Sequence, residues 1–91
     1  MKVKVLLASV FRETAGRKEL EEEVPEGFKL ADLLHELALR FQGAFNKVLT
    51  PSGEVNEDVL LFLNGMSLKK ADLELKEGDL IMITSEVVGS R

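Results

Sequence analysis

The alternation of hydrophobic and polar residues in the first quarter of the chain predicts two β-strands. Residues 2–10 begin with alternating Lys and Val and become wholly apolar, which is typical of a strand covered on one face and partly on the other. Gly16 supplies the turn that follows. Residues 17–24 predict a charged second strand, with Leu20 and Val24 as its apolar positions.

Three consecutive glutamates in this second strand have two interpretations. Glu21, Glu22 and Glu23 suit the edge of a sheet, where exposed charge discourages pairing with other chains. The alternative is an acidic cluster that binds a metal ion. We favour the solvated edge, because runs of charged residues on strands mostly face solvent.

A single amphipathic helix is the clearest prediction from local sequence. Apolar residues recur over residues 30–41 at the spacing of one helical face. Asp32 in the first turn suits the helix dipole, and Gly43 is a natural stop. A second, shorter helical turn is predicted around residues 45–49. The stripe consists of Leu30, Leu33, Leu34, Leu37, Ala38 and Phe41.

Three further strands are predicted in the second half of the chain. Residues 59–63 are wholly apolar and end at Asn64-Gly65, a pair that strongly favours a hairpin turn. Residues 66–68 predict a short strand after that turn, and residues 80–84 predict the last strand. The order of elements therefore indicates an α+β fold with one main helix.

One helix can cover only one face of such a sheet, so the other face must meet solvent or a partner. Alternation assigns to the helix side Val3, Val5, Leu7, Val59, Leu61, Leu63, Ile81 and Ile83. It leaves on the open face Leu6, Ala8, Leu60, Phe62, Leu80 and Met82. An apolar open face indicates a protein-binding patch, although a loop, the tail or a second copy of the chain could also cover it.

Length and composition fit one small domain. The 91 residues include no cysteine and one histidine, which excludes disulfides, thiolate metal sites and cysteine nucleophiles. We predict a domain over residues 1–85 and a tail over residues 86–91. A net charge of −4, with five Phe as the only aromatic residues, argues against a nucleic-acid partner. Because no apolar run is long enough to span a membrane, we expect no membrane partner and a cytoplasmic protein.

Side chains offer only weak candidates for chemistry. His35 lies near acidic neighbours on the polar face of the helix, but a lone exposed helix histidine seldom forms an acid–base or metal site. Ser67 and Lys70 match an S-x-x-K pattern whose other parts are missing. We predict no catalytic residue, no metal ligand and no bound cofactor. A basic cluster near the first turn is either solvated or part of a docking surface; its residues are Arg12, Arg17 and Lys18.

Five segments form a recognisable pattern along the chain. They are Phe11-Arg12-Glu13-Thr14-Ala15-Gly16, Val24-Pro25-Glu26-Gly27, Leu30-Ala31-Asp32-Leu33-Leu34, Leu61-Phe62-Leu63-Asn64-Gly65 and Leu75-Lys76-Glu77-Gly78-Asp79. In this order they resemble the MoaD-like sulfur carriers, a family of ubiquitin-like β-grasp proteins that includes the molybdopterin synthase small subunit and archaeal small modifier proteins. The resemblance covers almost the whole chain. One local departure is Lys29, which stands where the family has a Ser or Thr helix cap.

The resemblance implies both a fold and a mechanism. The fold is a mixed sheet of four or five strands with one main helix packed on one face. In such proteins an ATP-using adenylating enzyme activates the carboxylate that ends a Gly-Gly tail. The acyl-adenylate then becomes a thiocarboxylate that donates sulfur, or an acyl donor that modifies a lysine. The implied partners are this activating enzyme and, in the molybdopterin branch, a molybdopterin synthase large subunit, which dock on the open sheet face.

The C-terminal tail departs from the family pattern. Gly89 matches the penultimate glycine, Ser90 stands at the last glycine, and Arg91 follows. These three residues are the candidate activation site, and Val87 and Val88 are expected to extend the partner-binding face. The departure is compatible with a carrier whose end is tolerated or trimmed, or whose native end lies elsewhere. It is also compatible with a non-catalytic binding module of the same fold.

Overall fold

A mixed sheet of five strands is the centre of the computed structural model, which describes residues 1–86. The strands are β1 (Lys2–Leu7), β2 (Glu19–Glu23), β3 (Val59–Leu63), β4 (Met66–Leu68) and β5 (Leu80–Ser85). The helices are α1 (Ser9–Ala15) and α2 (Leu30–Phe41), followed by a 3-10 helix over Gly43–Lys47. The strands lie in the order β2-β1-β5-β3-β4, which confirms the predicted α+β fold.

The two central strands are parallel, and every other pair in the sheet is antiparallel. In this parallel pair Val5 lies opposite Ile81 and Leu7 lies opposite Ile83. Parallel strands end at the same edge of a sheet, so the residues that follow β1 and the residues that follow β5 leave the sheet together. This arrangement brings α1 beside the start of the tail.

The core lies between α2 and one face of the sheet. Val5, Leu61, Ile81 and Ile83 are fully buried there against the apolar stripe of α2. The sequence assigned eight residues to this side, and all are buried except Leu63, which is half-buried. The period-2 alternation therefore identified the covered face correctly.

The prediction that the first strand continues to residue 10 is wrong, because β1 ends at Leu7 and α1 begins at Ser9. The ladder stops where the Ala8 N–H donates to the Ile83 carbonyl at 3.1 Å. The helix then turns Phe11 into the core, where its ring meets the Phe45 ring edge-on at 5.3 Å. The apolar run is locally suited to a strand, but burial of this aromatic pair favours the helix. Gly16 does end the element, as the left-handed cap of α1.

The N-terminus of α2 is capped without the Ser or Thr of the family pattern. The Lys29 N–H donates to Asp32 Oδ2 at 3.1 Å, so a carboxylate in the first turn takes part of the capping role. The next two free donors are satisfied by a distant loop, since the Leu30 N–H bonds the Leu73 carbonyl and the Ala31 N–H bonds the Ala71 carbonyl. The loop before β5 thereby fixes where α2 begins.

Replacement of Phe11 by Ala tests whether α1 is part of the core. Phe11 is 2% exposed, so Phe11→Ala should lower the free energy of unfolding by about 3–5 kcal/mol in urea titration. The neighbouring Val10 is 43% exposed, and Val10→Ala should cost less than about 1 kcal/mol. Equal effects of the two substitutions would contradict the placement of α1.

Candidate functional site

The sheet face opposite α2 is apolar, and residues 1–86 leave it uncovered. One row of neighbouring residues crosses all five strands on this face, and it consists of Glu19, Leu6, Met82, Phe62 and Ser67. Leu80 and Met82 are each 38% exposed, which is high for large apolar side chains in a central strand. With Leu6, Phe62 and Gly65 they line a shallow pocket of about 180 Å³. We call this surface the open face.

The structure brings together most of the residues that the sequence placed on this surface. Leu6, Phe62, Leu80 and Met82 all line the shallow pocket, and Leu60 lies beside it opposite Thr84. Ala8 lies beyond the ladder, at the N-terminus of α1. The other two expected members, Val87 and Val88, lie outside the described residues. The use of the open face by a partner stays a prediction at this point.

Charged side chains border the open face along its β1 and β2 side. Lys4 Nζ lies 3.3 Å from Glu19 Oε2, and Glu21 lies opposite Lys4 in the ladder. Glu23 lies 3.8 Å from the N-terminal ammonium. The Lys4–Glu19 pair is exposed and adds little to stability, while the N-terminal ammonium of the second pair is partly buried. They give the apolar patch a polar margin, as expected for the rim of a protein interface.

Glu22, the middle glutamate of the acidic run, lies in a different environment from Glu21 and Glu23. Glu22 faces the helix side and binds Arg40 through two hydrogen bonds of 2.9 Å. The hydrogen bonds that Arg40 donates to Glu22, together with the negative charge of Glu22, raise the pKa of Arg40 above its usual value despite some desolvation. The pair connects the end of α2 to β2, which is an edge strand as predicted. Among residues 1–86, no group of three acidic, His or Cys side chains is placed to hold a metal ion.

A polar network that sequence reasoning missed fixes the hairpin beside the pocket. Asn64 Nδ2 donates to Asp79 Oδ1 at 2.9 Å, while Asn64 Oδ1 accepts from the Leu80 N–H at 2.9 Å. Asp79 Oδ2 also accepts from the Lys76 N–H at 2.7 Å. Asn64 and Gly65 both adopt positive φ, at 51° and 86°, which matches the turn that an Asn-Gly pair favours. The signals available in the sequence were the two turn motifs, Asn64-Gly65 and Glu77-Gly78-Asp79, but no local pattern links one to the other.

The tail begins at the same end of the sheet as α1. The Glu86 N–H donates to the Asp58 carbonyl at 2.9 Å, so the chain is still bonded to the segment before β3 as it leaves β5. The candidate activation residues Gly89, Ser90 and Arg91 lie outside the described residues. The structure therefore places the base of the tail beside the open face.

The other candidates from the sequence are not brought into a common site. His35 lies exposed on α2, at a groove on the helix side of the molecule. Ser67 lies on the open face and Lys70 lies past the end of β4, next to Glu54. In the part of the chain that the structure describes, no helix is long and apolar enough to cross a bilayer.

Comparison with known families gives a clear assignment. The model of the ThiS family matches residues 5–89, which is nearly the whole sequence. The chain belongs to the ThiS family. This family groups ubiquitin-like sulfur carriers and modifiers, so the resemblance to MoaD-like β-grasp proteins is confirmed.

Solved structures of ThiS-like proteins agree with this assignment. A Pyrococcus furiosus protein assigned as molybdopterin converting factor, subunit 1, is 35% identical, with a TM-score of 0.79, and the match covers 96% of this chain and 99% of that one. Small archaeal modifier protein 1 from Methanosarcina acetivorans is 28% identical, with a TM-score of 0.75 and coverage of 98% and 96%.

A third structure shows the fold alone. The BexX/CysO complex of Amycolatopsis orientalis contains a chain that is 17% identical, with a TM-score of 0.74 and coverage of 97% and 99%. Among curated protein sequences, none matches the chain significantly. The family model and the structures together confirm the ubiquitin-like β-grasp fold.

Removal of the Asp79 carboxylate tests the network beside the pocket. Asp79→Ala leaves the Lys76 N–H and the Asn64 amide without their acceptor, and we expect a loss of about 1–3 kcal/mol in the free energy of unfolding. The matched control is Asp72→Ala at an exposed position, where the change should stay within about 0.5 kcal/mol. A neutral Asp79→Ala variant would contradict the structural role of the network.

Proposed function

We propose that this protein is a sulfur carrier or ubiquitin-like modifier that acts through the carboxylate at the end of its tail. The observation that supports the proposal is the position of the tail. It leaves β5 beside an uncovered apolar face, in a chain of the ThiS family. A partner that covers this face can therefore receive the tail at the same time.

The proposed reaction needs no catalytic side chain from this chain. The terminal carboxylate attacks the α-phosphate of ATP in an adenylating enzyme, which forms the acyl-adenylate and releases pyrophosphate. Hydrosulfide from a sulfur donor then attacks the acyl carbon, the bond to AMP breaks, AMP leaves, and a thiocarboxylate remains. In the modifier variant, a lysine amine attacks the same carbon and forms an amide. The chain supplies the carboxylate and a docking surface, while its partner binds ATP.

The open face is the proposed docking surface for the partners. The pocket between Leu6, Phe62, Leu80 and Met82 has the size of one large apolar side chain. Two partners are proposed: an adenylating enzyme and, for a molybdopterin role, a synthase large subunit. The name of the 35% identical Pyrococcus furiosus protein supports the molybdopterin role. The BexX/CysO complex supports partner binding by a protein of this fold.

A second candidate function follows from the tail sequence. Ser90 and Arg91 follow Gly89, and each adds a side chain that a narrow tail-binding channel must accommodate. A binding module of the same fold, without carrier chemistry, would use the open face and not the tail. The cytoplasm is the proposed location for either function.

The tail chemistry can be tested by chain-dependent ATP–pyrophosphate exchange with the adenylating enzyme of the source organism. We expect exchange with the full chain, and the intact mass should then increase by the difference between sulfur and oxygen once a sulfur donor is added. Deletion of Gly89, Ser90 and Arg91 should abolish both signals, because the carboxylate then ends too close to the domain. If the full chain supports no ATP–pyrophosphate exchange, but binding to the enzyme survives this deletion, the result would support the binding-module function instead.

The role of the open face can be tested by placing a charge in its pocket. Phe62→Asp or Met82→Asp should weaken binding of the adenylating enzyme at least tenfold in titration calorimetry, since a carboxylate in an apolar interface is strongly disfavoured. The matched control is Leu39→Asp, because Leu39 is 80% exposed on α2, which packs on the other face of the sheet. If the Met82→Asp and Leu39→Asp variants bound the enzyme with equal affinity, the proposal that the open face is the docking surface would be overturned.

A further inference from the structure

We propose that charges of opposite sign on the two sides of the tail base set the rotational orientation of the activating enzyme. This inference rests on the proposed function, because it assumes a partner that receives the tail. It adds which surface charges that partner needs: negative charge facing α1 and positive charge facing the segment before β3.

One side of the tail base is basic. The parallel pairing of β1 and β5 places α1 at the end of the sheet where the tail leaves, and α1 exposes Arg12. Arg17 and Lys18 are also exposed, and the Lys18 carbonyl accepts from the Leu7 N–H at 2.9 Å, which places the start of β2 at this same end. The acidic residues on this side are Glu13 in α1 and Glu19 at the start of β2, and Glu19 is paired with Lys4, so positive charge remains in excess.

The other side of the tail base is acidic. Glu57 and Asp58 are exposed just before β3, and the Asp58 carbonyl is the group that binds the Glu86 N–H. Glu86 is itself exposed, so three carboxylates lie next to the point where β5 ends. Lys69 and Lys70 follow β4 and pair with residues 54 and 55, and Lys47 precedes Val48, whose carbonyl accepts from the Asn56 N–H at 2.9 Å. None of these three lysines belongs to the segment that binds Glu86.

This arrangement favours one rotation of a partner about the tail. A tail and an apolar patch alone leave the rotation weakly defined, because apolar contacts have little directionality. With opposite charges on the two sides, the reversed orientation brings like charges together and is disfavoured. These charges also act before contact and speed productive encounter at low salt.

Charge reversal on each side tests the proposal without changing the fold. In the part of the chain that the structure describes, no side-chain hydrogen bond or ion pair involves the side chains of Arg12, Lys18, Glu57 or Asp58. The basic-side variant is Arg12→Glu with Lys18→Glu, and the acidic-side variant is Glu57→Lys with Asp58→Lys. The control is Glu26→Lys with Lys76→Glu, which reverses two exposed charges near the opposite end of the sheet. The two site variants change the net charge in opposite directions, so a change in net charge alone cannot weaken the binding of both.

The dissociation constant for the adenylating enzyme is measured by titration calorimetry with the full chain. At about 50 mM NaCl each site variant should bind roughly fivefold to twentyfold more weakly than the unmodified chain, while the control stays within about twofold. At about 500 mM NaCl the differences should nearly vanish, because salt screens exposed charges. The proposal would be overturned if the site variants bound with dissociation constants within twofold of that of the unmodified chain at low salt. It would also be overturned if the unmodified chain did not bind the enzyme at all. Charge-dependent binding without pyrophosphate exchange would support it and contradict only the proposed tail chemistry.

Discussion

The parallel pairing of β1 and β5 is the constraint on which the rest of the structure depends. Parallel neighbours cannot be joined by a tight turn, so every other element lies in the crossover between them. The single long helix of that crossover packs on one face of the sheet and leaves the other uncovered. The same pairing sends the two strand ends to one edge, where α1, the apolar face and the base of the tail become neighbours.

A second level of order comes from a few polar groups whose hydrogen-bond partners lie far away in the sequence. Asp79 accepts hydrogen bonds from the Lys76 N–H and from the Asn64 side-chain amide, and the Asn64 side-chain oxygen accepts one from the Leu80 N–H. The Asn64–Asp79 pair therefore joins two turns that are 15 residues apart in the sequence. The loop before β5 is held in the same way at the start of α2, through the carbonyls of Ala71 and Leu73. Main-chain donors that the sequence leaves without an obvious cap are thus satisfied by distant segments.

The function that we propose needs no reactive side chain from this chain. A carrier that reacts through its terminal carboxylate needs a shaped domain, a docking face and a tail, while the partner supplies nucleotide binding and acid–base groups. The pattern of exposure agrees with such a division of tasks, because the large exposed apolar side chains of β5 line one pocket and the charged residues lie at its margin. Specificity would then depend on the shape and charge around the tail.

The sequence by itself determined the elements whose signal is local. The apolar stripe of α2 identified the helix, and the Asn64-Gly65 pair identified the hairpin. The two-residue period of side chains in β3 and β5 separated the two faces of the sheet, because successive side chains of a strand point to opposite faces. Only the tertiary structure decided the end of β1, since an apolar run suits a strand or a helix equally until Phe11 meets Phe45. It also joined Asp79 to Asn64 and the Leu30 and Ala31 N–H groups to a distant loop, which no local pattern connects. Strand order placed the opposite charges around the tail base.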